Sequence, residues 1–277
     1  MSSPSTNNLN SSNISNPSNI SRPHLFEFED LPWFPQVIRE GMMDFLRHNI
    51  SWLNFYEPVA PLLKETLMAT QKNELLELCA GGGGGVLKLM KYLNAIDCHP
   101  QITLSDLYPN IETYQKLKLE TNGKIDFMEQ PVDALNVPAT VTGMRLLFSS
   151  FHHFRPESAK EILADAVNKK EAIGIFDAGN KGIFTMLFGV ILLQPIAFLV
   201  LTPFFKPFRW SRLLFTYLLP LIPLCTIWDG CISILRFYTV EELKVLTEQI
   251  SPNHYTWKVG QLKNRWGLKV NYLIGHP

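Results

Sequence analysis

Five consecutive glycines, Gly81 to Gly85, follow directly on the apolar segment Leu75-Leu76-Glu77-Leu78-Cys79-Ala80. Glycine accepts positive φ and has no Cβ, so such a run lets backbone amides close on a ligand. One acid, Glu77, precedes the glycines; a second, Asp106, ends the next apolar segment. An ionised carboxylate only accepts hydrogen bonds, which suits a pair of ribose hydroxyls. A glycine loop between a strand and a helix is where nucleotide-like cofactors bind in open α/β sheets. Farther along, Asp133, the adjacent pair His152-His153 and Asp177 add groups that bind ligands or carry protons. A neutral imidazole can take a proton from a hydroxyl. Adjacent rings point in different directions, so one histidine at most is expected to face an acceptor, the other packing structurally. Asp177 has two readings, a site carboxylate or the cap of a following helix. No third ligand stands at metal spacing from the histidines, and no metal is expected. The cysteines Cys79, Cys98, Cys225 and Cys231 form no C-x-x-C pair and read as reduced thiols.

These residues need a scaffold. Strand-like and helix-like runs alternate: strand 74–80, helix 86–93, strand 101–105, helix 111–120, strand 125–129, strand 144–149, helix 156–168, strand 172–176. Alternation of this kind predicts a doubly wound, mostly parallel sheet with helices on both faces. Thr239-Val240-Glu241-Glu242 reads as a helix cap, and 255–259 and 270–274 read as two closing strands. Residues 1–24 are Ser/Asn-rich with few apolar groups and are expected to be disordered. Residues 25–70 predict two or three short helices, interrupted at Pro58 and Pro61, forming a lid. The core then spans 71–180, an apolar insert 181–235, and the completion of the core 236–277.

With these motifs the chain resembles the class I S-adenosylmethionine-dependent methyltransferase family. The first motif is matched by Glu77-Leu78-Cys79-Ala80-Gly81-Gly82-Gly83 and the second by Thr103-Leu104-Ser105-Asp106-Leu107-Tyr108-Pro109-Asn110. Asp133 stands where the family contacts the adenine, and Leu147 to Phe154, with the histidine pair, matches the segment after strand 4. Cys79 departs from the pattern by occupying the first glycine position. The resemblance implies S-adenosyl-L-methionine as cofactor, held by Glu77, Gly81, Gly83, Asp106 and Asp133, with His152, His153 and Asp177 as catalytic candidates. The competing readings are an NAD(P)-dependent Rossmann oxidoreductase, or a membrane-associated adaptor that keeps the fold without turnover.

Lysine plus arginine equals aspartate plus glutamate at 25 each, so overall charge gives no footprint for nucleic acid. Charged residues make up only 18% of the chain, and the deficit is local: none lies between Gly182 and Phe205. That stretch is long enough to span a membrane, whereas 213–228 is short. Prolines at 195, 203, 207, 220 and 223 are expected to break both. A monotopic insert is preferred over a two-span hairpin, with Lys206, Arg209 and Arg212 at anionic headgroups and Trp210 at the interface. A buried helical subdomain or dimer face is the third reading. The expected location is the cytoplasmic face of a membrane, and the expected acceptor an apolar or lipid-like small molecule. Asp229 and Arg236, at the end of the apolar region, are expected to pair with each other, or Asp229 to line the acceptor site.

Overall fold

The computed structural model describes residues 22–179, 181–206, 208–250 and 254–277. Residues 1–21, which hold most of the expected disordered tail, lie outside it. Seven strands form one sheet in the order β3-β2-β1-β4-β5-β7-β6. They are β1 (Glu74–Glu77), β2 (Gln101–Leu104), β3 (Ile125–Phe127), β4 (Met144–Phe148), β5 (Ile173–Ala178), β6 (Thr256–Lys263) and β7 (Lys269–His276). The first five are parallel; β7 runs antiparallel between β5 and β6. Helices α1 (Gln36–Trp52), α2 (Ala60–Thr70), α3 (Val86–Ala95), α4 (Ile111–Glu120) and α5 (Pro156–Asn168) accompany the sheet.

The central strand β1 shows why this sequence folds as a covered parallel sheet. Its two leucines are almost fully buried but face opposite ways. Leu75 packs with Leu89, Leu93, Ile102 and Tyr114, and Leu76 with Ile162, Leu163 and Leu246. Because β2 and β4 lie on opposite sides of β1, the loops leaving β1 and β4 diverge. A crevice opens between them at the carboxyl edge, the usual ligand position in such sheets.

The N-terminal helices form with the expected proline breaks. Pro58 lies in a short 3-10 turn, Glu57–Val59, and Pro61 opens α2, where its missing N–H costs nothing. Thr239 caps the helix Val240–Glu248, with Glu242 returning a bond to its backbone N–H. β5 and the closing strands run longer than expected, because the β6–β7 hairpin pairs over its full length, from Thr256↔His276 to Lys263↔Lys269.

The insert differs from expectation in two ways. Its first apolar stretch is one continuous helix, Thr185–Phe204, which passes through Pro195. The helix changes there from π-type to α-type turns, so the missing donor falls at a junction rather than inside a regular ladder. The second stretch does break, at Pro220, where Trp210–Leu218 and Leu221–Arg236 meet at 77°. Second, Arg209 and Arg212 point inward, not outward. Arg209 pairs with Glu40, and Arg212 with Asp44 at 2.5 Å, both carboxylates lying on α1. Arg212 is buried, and a guanidinium out of water needs a carboxylate and acceptors; Phe205 O supplies one more at 3.0 Å.

Apolar contacts reinforce this docking. Phe45 of α1 stacks on Phe198 with ring centroids 3.5 Å apart, and Met42, Phe205 and Ile222 complete a cluster separate from the sheet's two layers. The outer face of the insert stays bare. Phe184, Leu187, Phe188, Ile191, Ile196 and Leu199 are all exposed, in a helix of mean hydropathy 2.2.

Arg212→Ala is expected to destabilise the fold more than Arg209→Ala, since only the first leaves a buried carboxylate short of a partner. The loss should fall near the lower end of the ~3–5 kcal/mol typical of breaking a buried pair, because Arg47 still reaches Asp44. Denaturant titration of the two variants checks the order.

Candidate active site

The glycine loop lies at the carboxyl end of β1 and leads into α3. Cys79, Gly81 and Gly83 all take left-handed backbone, with φ of 55°, 52° and 63°. At Gly83 a Cβ would also fall 2.6 Å from Leu117 Cδ1, so a larger residue there would be strained and Leu117 would have to shift. Cys79 follows the turn that a glycine would make, at a cost of roughly 1–2 kcal/mol. The departure from the motif is therefore one of side chain, not of backbone path. Burial pushes the Cys79 thiol up to about 12, so it is no nucleophile at neutral pH.

Asp106 closes the loop from the neighbouring strand. Its Oδ2 accepts the Gly81 N–H at 2.8 Å and its Oδ1 accepts the Tyr108 N–H at 2.8 Å. Tyr114 donates to Gly81 O at 2.8 Å from the other side. A carboxylate has about four acceptor positions, so Asp106 keeps capacity for further donors. Val132 N donates to Asp106 O at 2.9 Å, which brings the exposed Asp133 beside it. Glu77 is buried, and its Oε2 meets no donor among the described residues. Burial alone raises its carboxyl to about 8. The structure thus gathers Glu77, Gly81, Gly83, Asp106 and Asp133 around one loop.

α1 lies directly over that loop. Met43 Cε comes within 3.8 Å of where a Gly81 Cβ would be, and Arg47 Cγ within 2.6 Å of the same position at Gly84. A cavity of about 180 Å³ is bordered by Lys181, Gly182, Ile183, Met186, Ile234 and Leu235, at the root of the insert.

The three catalytic candidates lie beyond β4 and β5 and have different environments. His152 is buried, its Nδ1 3.2 Å from Asp177 Oδ1. Burial, with the neighbouring His153 charge, lowers its pKa to about 4, so it is a neutral imidazole at physiological pH. Asp177 therefore orients an imidazole and caps no helix. His153 meets Asp30 at 3.1 Å, and Glu27 and Glu29 at 3.5 Å each. Burial opposes its charge, but these carboxylates outweigh it and raise the imidazole to about 9. A histidine that already carries a proton cannot be the general base, so of the pair only His152 retains that capacity. Near it, the hydroxyl of buried Tyr56 hydrogen-bonds to Ser149 Oγ at the end of β4, and its ring packs on Phe148.

Asp229 and Arg236 do not pair with each other. Asp229 accepts the N–H groups of Phe28 at 2.7 Å and Glu29 at 3.1 Å. Arg236 binds Glu27 at 3.1 Å, Asp30 at 2.9 Å and Leu25 O at 2.5 Å. Their side chains stand on one helix but reach different parts of the segment that enters from the N-terminus. Burial raises Glu27 to about 7 and Asp229 to about 6. Asp30 is also raised by burial, but His153 and Arg236 more than reverse this and hold it at about 2. Sequence reasoning missed Glu27, Glu29 and Asp30. The available signal was the run His24 to Leu31, which alternates acids with aromatics immediately after the Ser/Asn-rich tail.

No family model matches the sequence, and no curated protein matches it. Solved structures do match in fold. The plantazolicin methyltransferase BpumL, determined with SAH, aligns with a TM-score of 0.57 at 13% identity, over 90% of this chain and 93% of its own. The O-methyltransferase NcsB1 from neocarzinostatin biosynthesis, determined with S-adenosylmethionine and 2-hydroxy-5-methyl naphthoic acid, aligns with a TM-score of 0.51 at 12% identity. That alignment covers 87% of this chain and 58% of NcsB1. The chain has the Rossmann-like methyltransferase fold. At these identities the likeness establishes architecture alone.

Glu77 makes a testable contribution to stability. Its carboxyl is raised from 4.5 to about 8 in the folded chain. Between those values the folded state holds a proton that the unfolded state has released, so stability falls as pH rises through this window and levels off above about 8. Glu77→Gln removes the cost. Its stability gain over the parent should be absent near pH 4, grow to pH 8 and then stay constant, as read by urea unfolding across pH.

Proposed function

We propose that this chain is an S-adenosylmethionine-dependent methyltransferase whose acceptor is an apolar small molecule drawn from a membrane surface. The observation that carries the cofactor assignment is the loop itself: left-handed glycines after β1, clasped by the carboxylate that ends β2, beside a buried Glu77 oxygen without a donor. These groups fit the cofactor. The spare acceptor positions of Asp106 suit ribose hydroxyls, Asp133 suits the adenine amine, and Glu77 Oε2 suits a cationic amino group. When bound, S-adenosylmethionine supplies an electrophilic methyl group to a nucleophile held in line with it.

The protein's own part is to place the acceptor and exclude water. α1 covers the glycine loop and acts as the lid in this reading; it must lift for the cofactor to enter. Tyr56, Phe148 and Phe176 offer an aromatic wall at the ends of β4 and β5, and His152 with Asp177 offers a neutral imidazole beside it.

The membrane part rests on the bare outer face of the Thr185–Phe204 helix. A two-span hairpin fits poorly, because Arg209 and Arg212 tie the connecting loop to α1, and α1 would have to cross with it. A monotopic insert lying on the cytoplasmic leaflet keeps those pairs. The acceptor then enters near the insert's root, where the small cavity beside Ile183, Met186 and Leu235 lies. The fold shared with natural-product methyltransferases supports a small-molecule acceptor.

Calorimetry tests the cofactor assignment. The purified chain should bind S-adenosylmethionine, and Asp106→Ala should weaken binding at least tenfold, about 1.4 kcal/mol. A parent chain that binds none would favour the non-catalytic adaptor; normal binding by the variant would move the site elsewhere. Vesicle flotation tests the membrane assignment. The chain should float with liposomes, and Phe184→Asp with Phe188→Asp should abolish flotation while leaving cofactor binding intact.

A further inference from the structure

We propose that Glu27, His152 and His153 form a binding site for one divalent transition-metal ion of the zinc, cobalt or nickel kind. These three side chains each present a ligand atom, and the three atoms lie within 4.8 Å of one another. An ion about 2.0–2.2 Å from each donor requires the atoms to close by less than about 1–2 Å, which side-chain rotation provides.

Glu27 is the decisive residue. It is 0% exposed, and its two oxygens are used unequally. Oε1 accepts from Arg236 at 3.1 Å and from Ser233 at 3.2 Å. Oε2 has no hydrogen-bond donor among the described residues and faces His153 Nδ1 at 3.5 Å. A buried carboxylate oxygen without a donor is costly unless a cation completes it.

The histidines are set up in a complementary way. His152 gives Nδ1 to Asp177 at 3.2 Å, which fixes that nitrogen as the N–H and leaves Nε2 as a lone pair. Metal-binding imidazoles characteristically make this second contact to a carboxylate. His153 is partly exposed, so an ion can reach the cluster from solvent, and the proton His153 carries in the metal-free chain leaves to solvent when its nitrogen binds. The local charge also favours a cation. Glu27, Glu29 and Asp30 all approach His153 within 3.5 Å, three carboxylates against two guanidiniums, Arg236 at 3.4 Å from His153 Nδ1 and Arg22 at 3.0 Å from His152 O. Two nitrogens and one oxygen suit a borderline-soft ion rather than magnesium or calcium, which prefer oxygen alone. Three protein donors also leave one coordination position open.

This site shares His152 with the proposed acceptor pocket but stands apart from the cofactor assignment, since none of its ligands belongs to the glycine-loop cradle. Its test uses Co2+ as the probe on the metal-stripped full-length chain, followed by visible absorption and by metal content after gel filtration. One equivalent of Co2+ should bind and develop the absorption of a histidine-ligated ion. Glu27→Gln and His152→Gln should each weaken binding about 100-fold or more, and Asp177→Asn, acting through His152, about 10–100-fold. His99→Gln, at the exposed far side of the sheet, should bind like the parent. Thermal melting establishes that each variant is folded. Failure of the parent chain to take up a stoichiometric ion would overturn the proposal, as would unchanged affinity in folded Glu27→Gln. Should that variant not fold, the parent titration and Asp177→Asn still decide. Cofactor calorimetry reads a different site, so the two assignments can fail separately.

Discussion

Arg236 cannot be buried alone, and much of the architecture follows from that. It is 3% exposed at the end of the Leu221–Arg236 helix, where water does not compensate its charge. The carboxylates that do so come from the opposite end of the chain, Glu27 and Asp30, and Asp229 on the same helix accepts the backbone N–H groups between them. The N-terminal segment is thus held by charge-assisted bonds together with the packing of Phe26 and Phe28 on Trp228 and Phe34. Fixed there, it places its acids against His153 and delivers the chain into α1. Such a network adds little net stability over an apolar contact, but it defines one position where grease would permit several.

The sheet was the most legible part of the sequence. β1 to β5 read clearly because strands buried on both faces are continuous apolar runs, and Gly81 to Gly85 and Asp106 mark where they end. The loop chemistry was legible for the same reason: Gly81 and Gly83 take the left-handed backbone that glycine adopts most readily, and Cys79 departs from the motif only in its side chain. Partners distant in sequence were not legible. Glu27 and His153 stand more than a hundred positions apart, so no spacing rule joins them. The pairing of Asp229 with Arg236 was expected because two opposite charges beside an apolar run are costly unless paired, yet both side chains serve the incoming N-terminal segment. The inward turn of Arg212 was hidden similarly, since a basic loop beside an apolar run reads as a headgroup anchor until α1 supplies Asp44.

Those partners connect the two halves of the molecule. Asp44 of α1 holds Arg212 of the insert at 2.5 Å and Arg47 of its own helix at 2.6 Å. Arg47 in turn lies over Gly84. A continuous series of contacts therefore runs from the apolar surface of the insert, through one buried carboxylate, to the glycine loop. α1 cannot rise from that loop as a free flap. Phe45 is stacked on Phe198 and meets Phe205 edge-on, so lifting the helix either carries the insert with it or parts an apolar interface and two ion pairs together. Whatever settles on the bare face of the Thr185–Phe204 helix acts on the same rigid unit that covers the glycines, because close-packed apolar contacts transmit displacement rather than absorb it. The five glycines give the loop its freedom, and α1, anchored to the insert, limits its use.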